Sequence, residues 1–130
     1  MKRPGKTQGL RHVALFVPDL VVAEHFFVDL MGMTVEWRPD ADNVYLTSGN
    51  DNLALHQVAA LDGQGTLDHI GFFINDPDEV RAWFEFLEAS GVEMLTEPRT
   101  YRDGAISFYC LGPALIRVQV IYHPPIAVRE

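Results

Sequence analysis

The chain has 130 residues, a length that suits one domain and buries roughly two-thirds of the unfolded surface without help from disulfides. Its composition, 48% apolar and 11% aromatic, is that of a packed protein, and a formal charge of −8 argues against nucleic acid or anionic membrane as the main partner. A single cysteine, Cys110, allows neither an internal disulfide nor a thiolate metal cluster, which points to a reducing cytoplasm; no signal-like apolar segment opens the chain, and no run nears the ~20 residues of a membrane span.

Leu10 to Val17 alternates branched and aromatic residues and reads as a strand, ended by Pro18 and the N-cap candidate Asp19. An amphipathic helix is expected to run to about Met31, with Gly32 in the C′ position that tolerates positive φ. Strands follow at Met33–Arg38, Asn43–Thr47 and Leu53–Val58, with Pro39 and Asp40 in the first gap and Gly49, Asn50 and Asp51 in the second. A linker, 59–66, leads into a second half of the same order. Asp76, Pro77 and Glu79 give an N-cap, a proline at N1 and a capping acid at N3, while Val80, Trp83, Phe84 and Leu87 form one helical stripe. Strands are expected near Val92–Thr96, Ala105–Leu111 and Leu115–Tyr122.

The two halves are copies. HVALFVPDLVVAEHFFVDLMG, from His12, returns as HIGFFINDPDEVRAWFEFLEASG from His69: a histidine, a strand, an amphipathic helix and a closing glycine. The expected fold is α+β, two βαβββ modules (about 8–58 and 67–123) that form a cupped, open eight-stranded sheet with a helix packed outside each module.

Strand parity then sorts side chains by face. In the first strand Val13, Leu15 and Val17 suit the helix-covered side, which leaves His12, Ala14 and Phe16 on the other; His69, Gly71 and Phe73 are the equivalents in the second half. On the last strands His56 opposes Leu53 and Leu55, and Gln119 opposes Val118 and Val120. Four donors, His12, His69, His56 and Gln119, therefore share the concave face in two symmetry-related pairs. Imidazole nitrogens with an amide oxygen suit a divalent ion such as Fe, Zn, Ni, Co or Mn. Arg117, two residues from Gln119 and so about 7 Å away on the same face, is placed to hold a substrate anion. Tyr101 and Arg102, with Asp103, lie on a loop placed to close over the pocket, and Tyr109 faces either pocket or core. His25 reads as solvent-facing, His123 as lying about 13 Å beyond Gln119, and Cys110 as a buried structural thiol.

RHVALFVPDL with its helix and Gly-Met turn, LDHIGFFI, and FYCLGPALIRVQVIYHPP together resemble the vicinal oxygen chelate superfamily, which includes glyoxalase I, methylmalonyl-CoA epimerase, bleomycin resistance proteins and extradiol dioxygenases. The resemblance implies a metal held by first-strand and last-strand residues, with His12 and His69 at the usual histidine positions. It also implies a small oxygen-rich substrate, dioxygenase-like or lyase/isomerase-like chemistry, and a homodimer. The chain departs from the family where FYFRDPDGNLIEL is common: Gln119 stands in place of the metal-binding glutamate. Glutamine offers an oxygen but no carboxylate and no base. A neutral donor set leaves the ion's charge to attract an anionic substrate oxygen. The alternative reading is a metal-free protein that sequesters a small molecule, as bleomycin resistance proteins do.

Overall fold

The computed structural model describes residues 1–63 and 65–126; Gln64, in the expected linker, lies outside the described residues. The chain is mixed α+β and divides into two compact units, residues 12–69 and residues 1–11 with 70–130. The first contains β1 (Leu10–Val17, which begins just before it), α1 (Leu20–Glu24), β2 (Thr34–Asp40), β3 (Asn43–Thr47) and β4 (Asn52–Gln57). The second contains most of β5 (Leu67–Phe73), then α2 (Glu79–Ala89), β6 (Glu93–Met94), β7 (Arg99–Thr100), β8 (Ile106–Leu111) and β9 (Arg117–Tyr122). Strand order is β2-β3-β4-β1 in one unit and β5-β9-β8-β6 in the other, with β7 on β8. In each, the first strand lies parallel to the last, β1 with β4 and β5 with β9.

The first helix starts where the sequence places it. Asp19 accepts from the amide of Val22 at 3.2 Å, and the Gln57 side chain accepts from that of Leu20 at 2.8 Å. After Glu24 the helix widens into a π-helical stretch, His25–Leu30, in which the Met31 amide bonds to the Phe26 carbonyl at 3.0 Å. This widening separates two neighbouring aromatics: Phe27 packs in the core with Leu20, Ala23, Val44, Leu46 and Leu55, whereas Phe26 is 48% exposed. Helical spacing alone assigns both to the core. Gly32 (φ 85°) and Gly91 (φ 87°) follow the two helices in the left-handed region, so the duplicated glycines perform the same chain reversal.

The second helix begins later than expected. Asp76 caps a preceding turn by accepting from the Asp78 amide at 2.9 Å, and the helix itself opens at Glu79. Its Val80, Trp83 and Phe84 pack on Ile74, Phe108 and Val120, as the stripe requires.

Nine strands form among the described residues rather than eight. The expected strand at 92–96 keeps only Glu93 and Met94, because Leu95 and Thr96 both donate to the Tyr109 carbonyl, at 2.9 and 3.2 Å, and bulge out of the ladder. Pro98 lacks the amide needed to resume it, and β7 pairs with β8 only beyond that point. Pro39 and Asp40 extend β2 rather than breaking it; β2 terminates the strand order, where a proline can sit without removing an inner ladder bond. Among the described residues no helix is long and apolar enough to cross a membrane.

Phe108 is fully enclosed and its ring meets Phe84 edge-on at 5.3 Å. Phe108→Ala is expected to lower the unfolding free energy by about 3–5 kcal/mol in urea denaturation; a loss below about 1 kcal/mol would remove Phe108 from the centre of this core.

Candidate metal centre

Register fixes which side chains share the face opposite α1. His12 pairs with Asn52, Ala14 with Ala54 and Phe16 with His56 across β1 and β4; Asn43 and Tyr45 on β3 pair with His56 and Ala54. Paired residues point to the same side of a sheet, so His12, Asn52, His56, Asn43 and Tyr45 form one surface. Leu15, Val17, Leu53 and Leu55 face the helix.

At its centre His12 and His69 meet. Their Nε2 atoms are 2.8 Å apart and the residues are 4% and 5% exposed. His12 Nδ1 donates to the Asn52 carbonyl at 3.2 Å, and His69 Nδ1 donates to the Asp68 carboxylate at 3.2 Å. Neither acceptor carries a proton to give, so both Nδ1 atoms are protonated and the two Nε2 atoms are turned toward each other. Two lone pairs at that separation repel unless a cation lies between them, either a proton or a metal ion. An acceptor behind each Nδ1 is also the arrangement that orients imidazole as a metal ligand. The pair therefore fits a divalent ion. Among the described residues no group of three or more His, Cys, Asp or Glu side chains gathers around a metal position.

His56 shares this face but lies four residues along β4 from Asn52, the partner of His12, or about 13 Å. Its Nδ1 donates to Asn43 Oδ1 at 2.6 Å, and Asn43 Nδ2 donates to Asp40 Oδ1 at 2.8 Å. The structure places it in this second network, not beside the imidazole pair. Burial pulls its pKa below the usual 6.5, and the charges of Asp68 and Asp40 only partly oppose that shift.

Two residues beside the pair escape sequence reasoning. Pairing of β2 with β3 slips between Val35 and Trp37, which leaves Glu36 as the extra residue of a bulge. Glu36 Oε1 accepts from Asn52 Nδ2 at 3.2 Å. The residue whose carbonyl holds His12 thus also holds a carboxylate. The sequence signal is slight: an acidic residue between Val35 and Trp37, and an asparagine whose importance depends on register.

In the other unit, Gln119 is 5% exposed and its Nε2 donates to Ser107 Oγ at 2.9 Å, which fixes the direction of Oε1. Tyr109 is its cross-strand partner and so lies on the Gln119 face. Arg117, two residues away, shares that face and is exposed. Tyr101 and Arg102 sit in the turn that joins β7 to β8, closed by the Gly104 amide on the Tyr101 carbonyl at 3.0 Å. That turn adjoins Ile106, at the end of β8 away from Arg117, so the structure does not group these two with Arg117. Cys110 is buried and its thiol pKa is raised by burial. His25 is exposed and pairs with Asp29 at 2.8 Å; His123 is buried beside Phe73.

The shift at His56 has a pH signature. The fold holds this ring neutral, so its contribution is fully present above the ordinary value of 6.5. As pH falls below that value the unfolded chain takes up the proton first, and stability is lost until the lower folded pKa is passed. In metal-free protein, His56→Gln is expected to reduce the fall in Tm between about pH 7.5 and about pH 5. An unchanged fall in calorimetry would refute a depressed His56.

Residues 9–120 match the family model described as Glyoxalase/Bleomycin resistance protein/Dioxygenase superfamily. No curated protein matches the sequence. Among solved structures, the 2,3-dioxygenase LapB from Pseudomonas sp. KL28 is similar at a TM-score of 0.77 and 16% identity, over 89% of this chain and 42% of that one. This chain thus spans less than half of that dioxygenase. Methylmalonyl-CoA epimerase from Mycobacterium tuberculosis has a TM-score of 0.73 and 20% identity, over 95% of this chain and 93% of the epimerase. A variant of homoprotocatechuate 2,3-dioxygenase from B. fuscum has a TM-score of 0.73 and 20% identity, over 90% of this chain and 33% of that one. At these identities the likeness establishes the fold, and with the family model spanning most of its length the chain belongs to the glyoxalase/bleomycin resistance protein/dioxygenase superfamily.

Proposed function

We propose that this protein is a metal-dependent enzyme of the lyase or isomerase type that acts on a small oxygen-rich molecule, with His12 and His69 as ligands of a divalent ion. The observation that carries this reading is the 2.8 Å approach of two Nε2 atoms whose rings already donate through Nδ1. Fe, Zn, Ni, Co and Mn all accept imidazole nitrogen. A bound divalent ion would supply Lewis acidity to a substrate oxygen.

Asn52 and Asp68 keep the two rings in the tautomer that presents Nε2. Glu36, aimed by its bulge and tethered to Asn52, is a carboxylate of this face that can accept a proton from substrate carbon or oxygen. Gln119 cannot do so, since an amide has no basic oxygen at neutral pH. A dioxygenase and an epimerase occur on this fold among the similar structures, so both chemistries are compatible with it. A nearby carboxylate outside the ligand group favours proton transfer.

Metal analysis of protein purified without chelators is expected to find close to one divalent ion per chain. His12→Ala and His69→Ala should each weaken retention at least tenfold, on the order expected for a lost ligand, and Glu36→Gln should retain the ion while losing at least a hundredfold in proton-transfer rate. Parent protein that takes up no divalent ion would overturn this reading in favour of a metal-free small-molecule binder.

The reading includes a homodimer. Val21, Val22, Phe26, Leu30 and Met31 are each at least 48% exposed along the first helical segment and supply apolar surface for a second copy. Light scattering should give twice the 14.6 kDa chain mass, whereas a single-chain mass at micromolar concentration would remove the dimer.

A further inference from the structure

The unit of residues 1–11 and 70–130 contains a cavity of 630 Å³ between α2 and the sheet. Phe72, Val118, Val120 and Cys110 contribute from the strands, and Trp83 and Leu87 from the helix. Phe72 pairs with Val120 and Cys110 with Val118, whereas Gln119 pairs with Gly71 and Tyr109. Successive residues of a strand face opposite ways, so the cavity opens on the side of the sheet away from Gln119. It is a different place from the face that carries Gln119 and Arg117.

Its volume falls in the range of small-molecule sites, about 300–1,000 Å³. Its chemistry narrows the occupant further. Among the described residues Glu93 is the one charged residue on its wall, at the rim, and disfavours an anion. Burial keeps the Cys110 thiol neutral, so the interior carries no charge of its own. Trp83 is 7% exposed and lines the cavity, so its emission reports on what the cavity holds.

We infer that this cavity is a second binding site, for a neutral and mainly hydrocarbon small molecule seated between α2 and β8–β9 against Trp83. The site is independent of the metal centre and of the reaction proposed for it.

The two tryptophans, Trp37 and Trp83, lie in different units, so Trp37→Phe leaves Trp83 as the only indole reporter. In that background 1-octanol is the probe, with octanoate as its anionic counterpart. Octanol should change Trp83 emission saturably with one site per chain, and should slow the reaction of Cys110 with a thiol reagent. Octanoate should bind at least tenfold more weakly, and Glu93→Gln should narrow that gap. Val92→Phe, at the half-buried rim, should lower octanol affinity at least tenfold with unchanged circular dichroism. The Cys110 measurement, made on the parent, stands if that variant fails to fold. Absence of both the saturable emission change and the Cys110 protection would overturn the site; equal binding of octanoate would overturn its neutral character; unchanged affinity in folded Val92→Phe would overturn its location.

Discussion

Two imidazoles that meet nitrogen to nitrogen, each with its other nitrogen already committed, impose the constraint around which the rest of the first unit is arranged. Neutral rings in that position repel, and protonated rings would bring positive charge into a site where both residues are almost fully buried. The surroundings answer this with acceptors rather than with bulk: a strand carbonyl behind His12 and a carboxylate behind His69. Those acceptors make each Nε2 a better electron donor, and under the proposed function a divalent ion would turn the repulsion into coordination. Asn52 joins this arrangement to Glu36, so that the orientation of the His12 ring and the carboxylate depend on a single residue of β4.

Much of this was legible in the sequence, because it rests on period-two alternation and on a repeat. Parity alone places His12 and His69 on the face away from the helices, and the parallel pairing of β1 with β4 follows the expected βαβββ order. The same parity assigns Gln119 and Arg117 to one side of β9. What parity cannot supply is displacement along a strand. His56 lies on the correct face of β4, yet the register pairs His12 with Asn52, and the histidine belongs to a network with Asn43 and Asp40 instead. Side-chain direction has a sequence signature, whereas register is set by long-range pairing that one strand cannot report.

Departures from regular geometry were the other hidden quantity. A π-helical stretch turns Phe26 outward while Phe27 stays in the core. A bulge brings Glu36 to Asn52, and a second one at Leu95 and Thr96 ends β6 after two residues. Each inserts a single residue into a regular pattern, which no count of apolar spacing detects. One of them lies beside the imidazole pair, in keeping with the tendency of bulges to re-aim side chains at functional positions.

The parallel pairing of first and last strands has a consequence for how the protein folds. His12 bonds to a residue 40 positions away and meets another 57 positions away, so neither contact can form until an entire module has been threaded. Such distant closures are slow relative to helices and hairpins, because chain entropy is lost before the contact can offset it. The α1 segment and the β2–β3 hairpin are local and can form early, whereas the docking of β1 on β4 brings His12 to Asn52 and the imidazole pair still awaits His69, on β5. A nascent chain that ends before residue 69 therefore lacks the imidazole pair, which needs the whole first module and the opening strand of the second.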